Sequence, residues 1–96
     1  MTAMNTTLAN LVTKMAFEMV AKAHTHGTGD EKELANEIAL EALGITDMLA
    51  EKDMMLAHWI RPKEARIRRN AERIANDARD WEIRKLANAI LALAAK

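Results

Sequence analysis

RPKEARIRRNAERIANDARDWEIRKLANAILALAAK, residues 61–96, forms the last third of a 96-residue chain and contains one proline, at its second position, and no glycine. Pro62 suits the first position of a helix, where its missing N–H has no intrahelical partner to lose. Behind it come Ala, Arg, Glu, Lys, Leu and Ile, mostly strong helix formers. The stretch predicts one helix of about 33 residues, which is about 50 Å at 1.5 Å per residue. Most helices run three or four turns. The remainder of so small a chain cannot easily cover a helix of that length, which points to a partner.

The apolar rhythm inside this stretch changes register. Ile67, Ala71, Ile74, Ala78 and Trp81 follow a 4-3-4-3 spacing, whereas Ile83, Leu86, Ile90 and Leu93 resume on a different stripe. The sequence favours a continuous helix, or one kinked near 76–80. The alternative is a break at which Asp77 or Asp80 caps a further helix.

Three shorter helices are expected upstream. Residues 5–24 place Leu8, Leu11, Val12, Met15, Met19 and Ala23 on one face, with Asn5, Thr6 or Thr7 as cap. Phe17 falls on the opposite side, as a second contact face or an anchor for a partner. Residues 24–29, HTHGTG, read as a flexible turn. Residues 30–43 form a second helix, capped by Thr28 or Asp30 and stopped by Gly44. Its apolar residues fall on two faces, so it should be covered on most sides, apart from the acidic ridge of Glu33, Glu37 and Glu41. Thr46 caps a third helix, 47–60, whose apolar arc holds Met48, Leu49, Met55, Leu56, Trp59 and Ile60. Lys52 falls inside that arc, its stem buried and its ammonium at the edge. Trp59 and Trp81 are both expected in the core. The fold class is thus all-α: one domain spanning 1–96, a helical bundle of three shorter helices and a long C-terminal one, completed by dimerisation.

Composition narrows the function. Nineteen of the 48 apolar residues are alanine, so the core is thin for its helix content. The aromatic residues are Phe17, Trp59 and Trp81, too few for a base-stacking platform. Without cysteine there are no disulfides or thiolate metal sites. His24 and His26 lack a third ligand at convincing spacing, so neither a metal nor a cofactor is expected. No nucleophile elbow, phosphate-cradling glycine loop or paired carboxylates beside a histidine are present, and the chain does not read as an enzyme. Lys14 and Glu18 interrupt the only candidate signal-peptide core, and no apolar run approaches the ~20 residues of a membrane span. A cytoplasmic protein is expected, with no membrane partner.

Net charge is zero but segregated. Residues 30–53 hold eight acids and two lysines, a net −6; residues 54–79 hold seven bases and three acids, a net +4. Arg66, Arg69 and Arg73 share one helical stripe. Such a stripe can track phosphates, but Glu64, Glu72 and Asp77 interrupt it, and the acidic ridge offers it a protein counterpart. The turn Ala42-Leu43-Gly44-Ile45-Thr46 resembles the turn of helix-turn-helix DNA-binding domains, which would imply that the following helix reads DNA. Leu40 stands where those domains keep a small residue, and Asp53 where they keep an apolar one. Asp47, Glu51 and Asp53 would also repel phosphate.

The expected function is a small non-enzymatic protein-binding module, a regulator, adaptor or inhibitor of a larger protein, acting as a homodimer. Its contact residues are Phe17, Arg66, Arg69, Arg73, Glu33, Glu37 and Glu41. The alternative is a nucleic-acid-associated protein using the basic stripe in 61–79.

Overall fold

The computed structural model describes residues 5–51 and 57–94, and these form four α-helices with no strand among them. They are α1 (Thr6–His26), α2 (Gly29–Glu51), α3 (Ala57–Asp77) and α4 (Trp81–Ala94). Each helix packs on its two neighbours in a closed ring, α1 to α2 to α3 to α4 and back to α1. Cross-helix contacts run antiparallel: Glu37 meets Asn70 while Glu41 meets Arg66, and the end of α1 meets the start of α4 through Lys22 and Glu82. The result is an up-down-up-down bundle of 40 × 21 × 18 Å. No described helix is long and apolar enough to cross a membrane.

Four buried seams hold the ring together, each spaced by threes and fours, with buried Glu64 filling the seven-residue step between Ile60 and Ile67. They are Ala9, Val12, Ala16, Met19 and Ala23; Ala35, Ile38, Ala42 and Ile45; Ile60, Ile67, Ala71, Ile74 and Ala78; and Ile83, Ala87, Ile90 and Ala94. Alanine alternates with a larger residue along most of each seam. That alternation lets backbones approach closely while the larger side chains interdigitate. A three-four spacing is also the one that keeps a stripe turned toward a partner along several turns.

These lengths correct the expected layout. The helices have 21, 23, 21 and 14 residues, so three short helices and one long one are not found. α2 runs straight through Gly44, because Ala42 and Ile45 continue the Ala35–Ile38 seam and their burial outweighs the roughly 1 kcal/mol that an internal glycine costs. Thr46 is therefore not a cap; its hydroxyl donates to the Ala42 carbonyl at 3.1 Å within the helix. α3 begins before Pro62, which lies on its exposed side in the second turn rather than at its first position. The expected long C-terminal helix is divided at 78–80. There the Asp80 carboxylate accepts from the backbone N–H groups of Glu82 (2.8 Å) and Ile83 (3.1 Å), an N-cap for α4, and the Arg84 guanidinium donates to the Ala78 carbonyl. The register jump in the sequence marks this break.

At the α1–α2 turn, on the same end of the bundle, Thr28 and Glu31 form a capping box: the Glu31 carboxylate accepts from the Thr28 N–H at 2.6 Å, and the Glu31 N–H donates to the Thr28 hydroxyl at 3.2 Å. The turn is shorter than expected, since His24 and His26 belong to the last turn of α1. The positions expected for Lys52, Asp53, Met55 and Leu56 lie outside the described residues.

Candidate functional site

Of the charged residues singled out in the sequence, Glu41 and Arg66 meet along the α2–α3 seam, within one chain. Glu41 is the centre. Its carboxylate accepts from Arg66 Nε and Nη2, both at 3.1 Å, and from Lys63 Nζ at 3.4 Å. Lys63 passes close to Gly44: a Cβ there would sit 3.3 Å from Lys63 Nζ, so the lysine would have to move by a few tenths of an ångström. One turn earlier, Glu37 accepts from the buried Asn70 amide at 2.9 Å. Glu33 is exposed, and it, Arg69 and Arg73 make no hydrogen bond or ion pair among the described residues. The acidic ridge and the arginine stripe are joined only at the Glu41 end.

Partial burial pushes the Glu41 carboxyl upward, but the Arg66 hydrogen bonds and the charges of Lys63 and Arg66 outweigh it and hold the group below its ordinary 4.5. A lowered folded pKa contributes stability above the unfolded value, and that stability is lost as pH falls through the folded one. Arg66 is 42% exposed, so the solvent-screened contribution is about 1 kcal/mol or less. Glu41→Gln should therefore lower the urea midpoint at pH 7 and have less effect at an acidic pH low enough to protonate the wild-type carboxyl. An equal loss at both pH values would remove the ion pair from the account.

A second surface is apolar. Phe17, Leu40 and Leu43 are 52%, 69% and 39% exposed. The Thr13–Thr46 hydroxyl contact, 3.3 Å across the α1–α2 seam, sets the helices' relative register. With that register, 100° per residue puts all three on the outer face shared by α1 and α2. The expectation that α2 is covered on most sides is thus corrected at Leu40.

The tryptophans are corrected too. Trp59 is 62% and Trp81 67% exposed. The core phase of α3 is set by Ile60, Ile67 and Ile74, which turns Trp59 about 100° off the seam, by the helical repeat. It stands in line with Arg66 and Arg73 at successive seven-residue steps. Trp81, at the start of α4, lies on the side away from Ile83 and Ile90, and Lys85 Nζ rests 5.0 Å from its ring centroid. With α3 starting at Ala57 and α4 at Trp81, neither ring falls on a buried seam. The buried alanines of the seams, rather than the tryptophans, were the signal that would have placed them outside.

Two clefts lie among the described residues. One, of about 340 Å³, lies where the α1–α2 turn meets the end of α3 and mixes Arg73 and Arg79 with Asp30, Glu31 and Asp77 in its lining. The other, of about 320 Å³, lies between α1 and α4 over Met15, Leu86 and Ala89, beside Trp81. Among the described residues, no three His, Asp or Glu side chains are grouped closely enough to hold a metal ion. The turn that resembles a helix-turn-helix is absent as a turn, since residues 42–46 are helical. No protein-family model matches this chain, and it matches no curated protein and no solved structure.

Proposed function

We propose that this chain is a small non-enzymatic protein-binding module, a regulator, adaptor or inhibitor of a larger protein, that works as a helical homo-oligomer. One observation carries the reading: an exposed tryptophan, Trp59, lies on the same stripe of α3 as Arg66 and Arg73, with exposed Arg69 beside them. Tryptophan and arginine are the residue types most often found as anchors of protein interfaces. The stripe is not a plain phosphate track, because Glu41 neutralises Arg66 and exposed Glu33 and Glu37 flank it on α2. A partner suited to it has mixed charge and an apolar pocket for an indole.

The test is capture of partners from host lysate by the tagged full chain, with and without nuclease. A nuclease-resistant protein partner is expected. Trp59→Ala, or Arg69→Glu with Arg73→Glu, should weaken its binding by about thirtyfold, the effect of losing an anchor of about 2 kcal/mol. A salt-sensitive gel shift at nanomolar protein, abolished by changing Arg66, Arg69 and Arg73 to Gln, would instead establish the nucleic-acid alternative.

A further inference from the structure

We infer that the cleft between α1 and α4 binds a small aromatic carboxylate, with its ring against Trp81 and its anionic head at Lys85. The cleft lies off the Trp59 stripe of α3, so this inference is independent of the function proposed above.

The cleft has an apolar floor and an aromatic wall. Its volume is about 320 Å³, at the lower end of the range for small-molecule sites. Met15 of α1 and Leu86 of α4, both half-buried and packed against the core, form the floor together with half-buried Ala89. Trp81, Lys85 and Ala89 follow one another at four-residue steps, which sets them along one side of α4. The short side chain of Ala89 is what keeps this side open next to Leu86. Trp81 forms the wall and is 67% exposed. An indole presents a flat π-face, and a second ring stacked on it in an offset arrangement gains more than its buried area alone. An aromatic ring is therefore the apolar group that this cleft favours.

Charge selects the head group. Lys22 of α1 and Glu82 of α4 both line the cleft and are paired with each other. Lys85 makes no hydrogen bond or ion pair among the described residues, and its Nζ stands 5.0 Å from the Trp81 ring centroid. The lining thus holds two lysines and one glutamate, a net +1, with the uncompensated charge at the aromatic wall. A carboxylate carried close to a ring reaches Lys85 while the ring meets Trp81. An ammonium in its place would be repelled by Lys85. A bare inorganic anion would leave the apolar floor unused.

The probe is 3-phenylpropionate, with 3-phenylpropylamine and 3-phenylpropanol as its cationic and neutral counterparts. The two tryptophans give two indole N–H resonances, so Trp59 is an internal control. Titrating the isotope-labelled full chain should shift the Trp81 indole and the Leu86 and Ala89 amides saturably, while the Trp59 indole stays in place. A Kd of about 1 mM is expected for a ligand of this size. Lys85→Gln should weaken binding about fivefold, and Lys85→Arg should retain it. Ala89→Phe fills the cleft and keeps both lysines, and it should abolish binding. Trp81→Ala, at an exposed position, should do the same, read from the Leu86 and Ala89 amides. The inference is overturned if the amine or the alcohol binds as tightly as the carboxylate, or if Lys85→Gln, Ala89→Phe or Trp81→Ala leaves the Kd unchanged. It is equally overturned if the Trp59 indole moves with that of Trp81, or if nothing saturates by about 10 mM.

Discussion

Replacing Ile67 by alanine is expected to remove about 2–5 kcal/mol of folding stability, the usual cost of truncating a fully buried isoleucine when the cavity cannot collapse. Ile67 is 0% exposed and stands midway along α3, between Ile60 and Ile74 on the seam. Ten of the nineteen buried apolar residues described are alanines, whose short side chains have little reach into the space that the loss of Ile67 would open. Domains of this size have roughly 5–15 kcal/mol in total. A melting temperature lower by roughly 8–40 °C follows, at about 4–8 °C per kcal/mol for a chain of this length. Asn76→Ala, on the exposed side of the same helix, serves as control and should change stability by less than about 0.5 kcal/mol. If thermal melts gave the two variants the same midpoint, the seam described here could not be the core.

Gly27→Ala should have the second largest effect, through sterics rather than cavity formation. Gly27 caps α1, and its N–H donates to the Ala23 carbonyl at 2.9 Å. Its φ of −94° is open to any residue, so backbone strain is not the issue. A Cβ at this position, however, would stand 2.8 Å from both the Cα and the carbonyl oxygen of Ala23, and those are backbone atoms that cannot rotate away. Relief requires the last turn of α1 to shift, together with the Thr28–Glu31 capping box that follows. The expected loss is about 1–3 kcal/mol, as for other overpacked sites. Gly29→Ala is the comparison, because a Cβ there meets nothing within 4 Å. Urea unfolding of both variants separates the readings: equal midpoints would show that the α1–α2 turn accommodates a side chain, and the steric account would fail.

The charged contact between α2 and α3 was partly legible. Glu41 and Arg66 were both singled out from their stripes, and they do meet. The sequence offered no sign that Lys63 passes close to Gly44 to join them, because a glycine inside an apolar run reads first as a helix stop. Nor did it show that Glu37 answers the buried Asn70 amide rather than an arginine. Those choices depend on the crossing level of two helices far apart in sequence.

By itself the sequence determined that the chain is helical and that its apolar stripes must face inward. The reason is local: strong helix formers, a three-four apolar rhythm and polar caps act within a few residues of one another. It also marked where the last helix is interrupted, since the stripe jumps between Trp81 and Ile83, but its run of helix formers favoured a continuous or kinked helix, and the division at 78–80 was decided by the tertiary structure. The tertiary structure decided where the other helices begin and end, and which residues lie outside. Gly44 and Pro62 both disfavour a helix locally, yet α2 and α3 run through them, because Ala42 and Ile45, and Ile60 and Ile67, gain more from burial than the helix loses at those positions. Once alanines occupy the close approaches between helices, the larger Phe17, Leu40, Trp59 and Trp81 are turned to the surface by phase alone.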